Sequence, residues 1–461
     1  MSRKSHVDSA ANFDVFHELV HGSPPYVEHK NLVMLEGPGV ARVLSRAGVR
    51  YLSRDVQYGR LIFEGTREDR VHVVGKQTVE TATCMFHHDI NLKRYSTAAA
   101  ELGIKLGASL DDLFFAHAHL LVLNGMHEKI TYNGKEIKTA YGRPFTHSLD
   151  GYFIGLPGDG KPVVSNIVIP FPSYDASIDS SKGLVLVYSN DMRPRGNLPS
   201  PNLKASMNYV WAAVLKNEWD RKYADWVKDY PDWQKKYPKM NEVLFATMDG
   251  NVAEGSVDNI AFVRKVGGRT IITTPKDGCL PGFTMQVIGL IAKEHEIAFE
   301  RSNLSVRELM EDKNVVAVFI TGNAMGAAPV DFIANPELKL KSGVKGREFE
   351  SSQNPVVKFL VAEYNGLLST TAAYRNWDMW MDLRDILTSR QFKYLEDVGD
   401  YMRALEAKTP PAITKTMHGE LAVKTDIMIR LNERILRPTK GAITRLNEHR
   451  AAHAKLPLVF K

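Results

Sequence analysis

The stretch PNLKASMNY, residues 201–209, decides the fold and the chemistry expected of this chain. Lys204 lies between a Pro-rich loop, residues 197–201, and an apolar run, residues 205–215, whose spacing predicts a helix. Burial lowers the pKa of a lysine amine and makes it nucleophilic, so an amine held at the start of a helix can form a Schiff base. One lysine is weak evidence, because most lysine side chains are solvated.

Short motifs that follow Lys204 strengthen the inference. They are GNVAEGSVDNI at residues 250–260, LPGFT at 280–284 and FITGNA at 319–324. In this order the motifs resemble the fold type IV pyridoxal-phosphate enzymes, the class IV aminotransferases typified by the branched-chain amino acid aminotransferases. The resemblance covers about residues 50–335. It implies an α+β fold with two domains, a small α+β domain and a larger pseudo-barrel β domain with helices.

The pattern of apolar residues supports an α+β fold, because strand-like runs are not arranged as alternating βαβ units. Helices are predicted at residues 89–102 and 110–123, and a tight hairpin around Asn133-Gly134. A short apolar helix is expected after Gly37-Pro38-Gly39, and residues 219–237 resemble an insertion. The predicted domains are an N-terminal extension (1–50), the small domain (51–189), the cofactor-binding domain (197–365) and a helical C-terminal extension (374–461).

The composition is that of a globular protein. The 461 residues are 44% hydrophobic and 24% charged, and the net charge of +6 is mild for this length. That charge suits an anionic cofactor and gives no indication of nucleic-acid binding. Two cysteines, Cys84 and Cys279, argue against a disulfide framework, and no apolar run approaches membrane-spanning length. A cytoplasmic protein without signal peptide or membrane contact is therefore expected.

The resemblance assigns roles around pyridoxal 5'-phosphate, which needs a lysine, a partner for its pyridine nitrogen, a phosphate site and a group on its phenolic oxygen. Lys204 is implied to be the catalytic residue and to hold the cofactor. Glu254 is implied to keep the ring nitrogen protonated, and Tyr209 to contact the phenolic oxygen. Without the resemblance, Glu254 would be interpreted as a surface turn residue and Tyr209 as a core tyrosine.

A phosphate site is implied where a helix begins. Gly282 allows close approach of the backbone, and the free N–H groups and the dipole of the following helix favour an anion. An arginine can add bidentate donors. The residues implied to bind the phosphate end of the cofactor are Arg94, Gly282, Phe283, Thr284, Gly322 and Asn323.

Substrate residues are also implied. The run Tyr141-Gly142-Arg143-Pro144 resembles the Tyr-x-Arg-Pro strand of the branched-chain enzymes, and alternation puts its tyrosine and arginine on one strand face. The implied substrate-binding residues are Tyr58, Phe63, Tyr141, Arg143 and Ala324. Arg143 could equally be an exposed strand residue. Asn323, Met285 and Ser173 depart from the family pattern, which leaves the amino donor open.

Metal and nucleotide sites are not expected. Residues 155–161 have P-loop spacing, but Pro162 follows them and offers neither a hydroxyl nor an N–H group. The pairs His87-His88 and His117-x-His119 lack nearby cysteines or paired carboxylates in the sequence, so surface or core histidines are the preferred interpretation.

The sequence therefore predicts an aminotransferase that moves an amino group between an amino acid, branched-chain-like or related, and a 2-oxo acid. Alternatives are a pyridoxal-phosphate lyase of the aminodeoxychorismate lyase type and a non-catalytic scaffold protein. Carboxylate recognition by Tyr141 and Arg143 favours the transaminase, and the presence of Lys204, Glu254 and Thr284 argues against the scaffold. A homodimer is expected, because family members close their active site across a two-fold interface.

Overall fold

A computed structural model describes residues 32–37, 40–44, 61–74, 79–106, 108–132, 134–148, 162–171, 183–192, 201–408, 412–415, 421–424, 428–431 and 433–456. Two residues named from the sequence, Tyr58 and Ser173, lie outside these ranges. The strands in chain order are β1 (Leu32–Gly37), β2 (Val40–Leu44), β3 (Thr66–Val74), β4 (Val79–Phe86), β5 (Ile130–Tyr132), β6 (Lys135–Ile137), β7 (Thr139–Ser148), β8 (Pro162–Pro170), β9 (Leu184–Met192), β10 (Glu242–Ala246), β11 (Val252–Gly255), β12 (Asn259–Val266), β13 (Arg269–Thr274), β14 (Ala298–Arg301), β15 (Val315–Gly322), β16 (Gly326–Ala334), β17 (Gly346–Glu348), β18 (Trp380–Asp382), β19 (Ala412–Lys415), β20 (Leu421–Lys424) and β21 (Met428–Arg430).

Helices lie between these strands and after them. They are α1 (His88–Glu101), α2 (Leu110–Leu123), α3 (Met207–Trp226), α4 (Pro231–Lys236), α5 (Phe283–Glu294), α6 (Val306–Glu311), α7 (Pro355–Leu367), α8 (Leu383–Ile386), α9 (Ser389–Lys408), α10 (Glu433–Leu436) and α11 (Lys440–Lys455). Single 3₁₀ turns cover Val227–Asp229, Ser351–Gln353 and Arg375–Trp377. Among the described residues, no helix is both long and apolar enough to span a bilayer.

The chain divides into two compact units. The first contains Met1–Pro172 and Asp378–His453, and the second contains Ser173–Trp377 and Ala454–Lys461. The stretch predicted as a C-terminal extension thus contributes most of its residues to the first unit. It supplies β18 and β21 as strands at the two ends of the first sheet, in addition to helices.

The first unit is built on an antiparallel sheet. Its described strands run in the order β18-β4-β3-β7-β8-β1-β2-β21, and neighbouring strands are antiparallel throughout. Helix α2 is buried along most of its length, as expected for a helix that is apolar on all sides. Ser109 and Asp112 form a capping box at its first turn, which satisfies backbone N–H groups that the helix leaves free.

The second unit is built on a mixed, curled sheet. Its path is β11-β10-β9-β16-β15-β12-β13-β14, and β17 pairs with β16. The pairs β9–β10, β9–β16 and β13–β14 are parallel, which requires crossover helices such as α3 and α5. The predicted insertion covers one face of this sheet: the ring of Tyr237 stacks on Phe332 with centroids 4.7 Å apart.

This architecture confirms the predicted fold class, a mixed fold with a curled half-barrel sheet. Local differences have simple reasons. The helix predicted after residues 37–39 is the strand β2, because a five-residue apolar run fits either period. The three parallel pairs of the second unit were not predicted, since a sequence of separated strands does not reveal which of them become neighbours.

Candidate active site

Lys204 lies in a turn immediately before α3 and is half-buried. Its amine donates a hydrogen bond to the phenolic oxygen of Tyr209, 3.2 Å away. The turn is fixed by the buried side-chain amide of Asn208, which donates to the backbone carbonyl of Leu203 at 2.7 Å. The segment before α3 and the first turn of that helix therefore hold the Lys204 amine and the Tyr209 hydroxyl side by side.

Glu254 is a buried carboxylate on β11, with 3% of its surface exposed. Its Oε2 accepts hydrogen bonds from the Asn259 side-chain amide and from the Leu280 backbone N–H, each 2.9 Å long. The same Asn259 amide donates to the Leu280 carbonyl at 2.7 Å. Burial without partners would be costly, and these donors hold the carboxylate in one orientation.

Gly282 precedes α5 and is packed against Asn259. A Cβ atom added at Gly282 would lie 1.7 Å from the Asn259 Oδ1 atom, so a larger residue would displace the amide that holds Glu254. Residue 282 has extended backbone geometry, with φ −78° and ψ 138°, and α5 begins at Phe283. The first N–H groups of that helix have no partner within the helix and can bind an anion.

Thr284 connects the start of α5 to the turn between β15 and β16. Its hydroxyl donates to the Asn323 Oδ1 atom at 3.1 Å and lies 3.4 Å from the Tyr364 hydroxyl. Gly322 ends β15, and a Cβ atom there would lie 2.0 Å from Asp258 Oδ1. The structure thus brings together the predicted phosphate residues Gly282, Phe283, Thr284, Gly322 and Asn323, with Ala324 in the same turn.

Buried acids that the sequence analysis did not assign lie beside this group. Asp258 is 5% exposed, and its Oδ2 has no hydrogen-bond partner among the described residues. Burial and the neighbouring carboxylate of Glu242 raise the pKa of Asp258 to about 8, Lys204 opposes the shift, and Glu254 adds to it. Burial also raises the pKa of Glu242, which accepts hydrogen bonds from the backbone and hydroxyl of Ser256. The available signal was the position of Asp258 inside the motif of residues 250–260.

The predicted substrate residues of the first unit also form a group. The Arg143 guanidinium carbon lies 4.7 Å from the ring centroid of Phe63 and 5.5 Å from that of Tyr141. Arg143 is exposed, and its Nη2 is 3.4 Å from the Tyr141 hydroxyl. Gly65 makes room for Tyr141, because a Cβ atom at residue 65 would lie 1.9 Å from the phenolic oxygen.

Arg94 lies on α1 in the first unit. Its guanidinium pairs with the buried carboxylate of Glu64, with Nε 2.8 Å from Oε2. Glu64 also accepts from the backbone N–H of Gly65 at 2.8 Å. The ion pair holds Arg94 next to Glu64, the residue that follows Phe63. The role of Arg94 toward a phosphate stays a prediction.

Comparisons with known proteins concern the family and the fold of this chain. A family model described as amino-transferase class IV matches residues 85–333, which is more than half of the chain. That range includes Arg94, Lys204, Glu254, Thr284 and the turn after β15. No curated protein matches the sequence of this chain.

Several solved structures share the fold, among them three branched-chain amino acid aminotransferases. The Escherichia coli enzyme has a TM-score of 0.58 at 21% identity and covers 73% of this chain and 95% of its own. The enzyme of Thermoproteus uzoniensis, solved with norvaline, has a TM-score of 0.57 at 19% identity and covers 77% and 99%. The enzyme of Thermobaculum terrenum, solved in its pyridoxal-phosphate form, has a TM-score of 0.58 at 16% identity and covers 77% and 99%.

Proposed function

Since this chain belongs to the class IV aminotransferase family, we propose that it is a pyridoxal-phosphate-dependent aminotransferase acting on an amino acid and a 2-oxo acid. The observation that carries the proposal is the second unit's combination of a half-buried lysine amine, hydrogen-bonded to Tyr209, with the buried carboxylate of Glu254. A nucleophilic amine and a carboxylate for a ring nitrogen are two of the groups that this cofactor needs from a protein.

The residues present fit pyridoxal phosphate. Gly282 and Gly322 have no side chain at positions where a Cβ atom would displace Asn259 or Asp258. The Thr284 hydroxyl and the N-terminal end of α5 suit a phosphate group. Glu254 suits the pyridine nitrogen, Tyr209 the phenolic oxygen and Lys204 the aldehyde carbon. We further propose Arg94 as a phosphate ligand on the strength of its match to the family motif.

When bound, pyridoxal phosphate supplies an electron sink for the electrons left on an amino acid's α-carbon after its proton is removed. Lys204 Nζ is the group proposed to take that proton from the α-carbon and to return a proton in the second half of the amino exchange. Tyr209 accepts a hydrogen bond from Lys204 and so orients the amine. Glu254, held by Asn259 and Leu280, keeps a negative charge at a fixed position where a protonated ring nitrogen can pair with it.

Arg143, with Tyr141 and Phe63 beside it, is proposed to recognise the substrate carboxylate. Tyr58 and Ala324 are further proposed substrate residues on the family resemblance alone. Arg143 is exposed and its guanidinium lies over the ring of Phe63, and a guanidinium is suited to bidentate recognition of a carboxylate. The presence of this group favours an amino acid over a simple amine. A branched-chain-like side chain is proposed from the family resemblance.

A panel of amino donors with 2-oxoglutarate tests the proposal. We expect formation of glutamate from at least one amino acid donor. Arg143 is exposed in the structure, and substrate binding is proposed to desolvate it. Loss of a desolvated arginine–carboxylate contact costs about 2–5 kcal/mol, so Arg143→Ala should then lower kcat/KM for that donor by roughly 30-fold or more and leave amine donors nearly unchanged, whereas a contact that stays exposed would contribute only about 0–1 kcal/mol. Elimination products without glutamate would instead support a lyase, and absence of cofactor binding would support a scaffold.

We also propose that the enzyme is a cytoplasmic homodimer. Both cysteines, Cys84 and Cys279, are buried and free, which suits a reducing compartment. Two-fold pairing follows from the resemblance to family members that complete their site across an interface. Light scattering of the purified chain should give twice the monomer mass of 51.7 kDa, and an active monomer would refute the proposed dimer.

A further inference from the structure

A group of histidine and aspartate side chains is buried in the first unit, whereas Lys204 and Glu254 belong to the second. Asp89 lies in the first turn of α1, and His449 and His453 face the same side of α11 because they are four residues apart. Each is at least nine-tenths buried, with exposed fractions of 8%, 0% and 3%. The group therefore joins residues that are 364 positions apart in the chain.

The distances within this group suit a metal ion. Asp89 Oδ1 lies 3.1 Å from His453 Nδ1 and 3.3 Å from His449 Nε2. The three ligand atoms all lie within 4.8 Å of one another. A tetrahedral Zn²⁺ with bonds of about 2.0–2.2 Å separates its ligand atoms by about 3.3–3.5 Å. Two of the three separations thus already match or nearly match those of a zinc site.

His87, the residue before α1, lies beside the three residues whose ligand atoms are within 4.8 Å of one another but is not among them, so its ring would have to turn toward the ion to become a fourth ligand. Its side chain is 2% exposed, and neither ring nitrogen has a hydrogen-bond partner within the described ranges. Its ring centroid is 5.1 Å from that of His453. Two imidazoles on one tetrahedral zinc have centroids roughly 5 Å apart. A buried imidazole without partners is costly, and a metal ion would satisfy one of its nitrogens.

A further carboxylate, that of Asp378, contacts His449 on the ring nitrogen that faces away from Asp89. Asp378 Oδ2 lies 3.3 Å from His449 Nδ1, the ring nitrogen that does not face Asp89. Arg445 holds Asp378 through two hydrogen bonds of 2.7 and 2.8 Å. Metal-binding histidines usually have such a carboxylate on their other nitrogen, which fixes the ring and increases its basicity.

Asp89 and His453 also lie within hydrogen-bond distance of each other, and a second histidine group in the same unit has a shorter contact of this kind. His117 Nε2 lies 2.7 Å from Glu68 Oε1, which is a hydrogen-bond distance and shorter than the spacing of two ligands on one zinc. The other nitrogen of His117 is 2.8 Å from Asn166, and His88 Nδ1 is 3.8 Å from Glu68. Hydrogen bonds thus account for His117 and for Glu68 Oε1, whereas neither ring nitrogen of His88 has a hydrogen-bond partner among the described residues.

We propose that His87, Asp89, His449 and His453 bind a Zn²⁺ ion, or a divalent transition metal of similar preference, in a closed site that attaches α11 to the start of α1. The ligand set of three imidazoles and one carboxylate suits Zn²⁺, and burial of all four side chains indicates a structural site. The proposal revises the sequence expectation that His87 is not a ligand. The pattern His449-x-x-x-His453 carried the signal, but its partner Asp89 is remote in sequence.

Metal titration of the full chain tests the proposal without reference to enzyme activity. The protein is stripped with a chelator, and Zn²⁺ alone is added in competition with a chromophoric chelator. We expect about one equivalent bound, and Co²⁺ in its place should give the intense visible bands of a tetrahedral complex. No uptake of either ion, or a weak octahedral Co²⁺ spectrum, would overturn the proposal and leave a hydrogen-bonded histidine network only.

Variants locate the ion. His449→Gln and His453→Gln should weaken Zn²⁺ binding by roughly 100-fold or more, and Asp378→Asn by about 10–100-fold, because it acts through His449. His119→Gln is the matched control, since His119 is buried in the same unit but belongs to neither group; it should keep one equivalent. If a ligand variant fails to fold, the Zn²⁺ affinity of Asp378→Asn and the Co²⁺ spectrum of the wild type test the metal site instead. Equal affinity in wild type and Asp378→Asn, with zinc retained in His449→Gln, would contradict the assignment.

Discussion

The side-chain amide of Asn259 donates a hydrogen bond of 2.9 Å to the buried carboxylate of Glu254, and Gly282 leaves the space in which that amide lies. The two side chains come from β12 and β11, so the turn between these strands sets their separation. The carboxylate is thereby held before any ligand arrives, which is the arrangement that electrostatic stabilisation requires.

Replacement of the acid tests that role. Glu254→Gln keeps the shape of the side chain but removes its charge, so it can no longer hold a ring nitrogen protonated. By analogy with loss of one preorganised group, turnover should fall by roughly 10²–10³ while cofactor affinity changes little. Steady-state kinetics and cofactor titration measure both. Glu294→Gln, an exposed change on α5, is the control, and equal turnover in the two variants would show that Glu254 is only structural.

Gly282 should not tolerate a side chain. In Gly282→Ala the new Cβ atom would meet the Asn259 amide at 1.7 Å, so Asn259 must leave Glu254. Overpacking of this kind costs about 1–3 kcal/mol, and we expect a lower free energy of unfolding together with weaker cofactor binding. Gly366→Ala on α7 is the matched control, because nothing lies within 4 Å of its added Cβ. That helical change should be neutral or stabilising by about 0.5–1 kcal/mol, and similar losses in both variants would contradict the packing argument.

Asp258 should make the stability of the cofactor-free protein depend on pH. Its pKa in the folded protein is raised to about 8, so the folded state binds the proton more tightly than the unfolded chain does. The resulting stabilisation is complete below the ordinary aspartate pKa and is lost as pH rises through about 8. Urea unfolding between pH 5 and 9 should therefore show declining stability in wild type and a flatter profile in Asp258→Asn. Asp220→Asn, an exposed change on α3, should follow the wild type; a wild-type profile that rises across this range would refute the raised pKa.

The hydrogen bond between Lys204 and Tyr209 should contribute modestly to turnover. Tyr209→Phe removes the phenolic oxygen 3.2 Å from the amine and keeps the ring. A hydrogen bond of this kind is worth about 0.5–1.5 kcal/mol, which corresponds to at most roughly a 10-fold fall in kcat/KM. Tyr230→Phe, outside the group, should leave kcat/KM unchanged in steady-state kinetics, and an equal fall in both variants would contradict the role of this hydrogen bond.

Much of the secondary structure follows from local pattern. The helix from Leu110 to Leu123 is predicted from its apolar pattern, and the hairpin at residues 130–137 from Asn133-Gly134. Pairings between distant parts of the chain do not follow. The strand Trp380–Asp382 pairs with β4, and Val40–Leu44 pairs with β21, because tertiary packing and not local preference decides them.

The site shows the same division. Lys204, Glu254 and Thr284 are predicted site residues because they lie in short motifs whose members are close in sequence. The raised pKa of Asp258 depends on Glu242, which lies on another strand and has no motif of its own. Asp89 and His453 meet only after the C-terminal segment has folded onto the first unit. The sequence alone therefore does not predict which charged groups from distant parts of the chain come close together.

The attachment point of the cofactor tests the central claim most directly. The chain is loaded with pyridoxal phosphate, reduced with borohydride, digested, and the modified peptide is identified by mass spectrometry. We predict a visible absorption band that the reduction removes, a stoichiometric adduct on Lys204, and loss of amino transfer in Lys204→Ala but not in Lys222→Ala, an exposed change on α3. A protein that binds no pyridoxal phosphate, or an adduct on another lysine with activity retained in Lys204→Ala, would contradict the account.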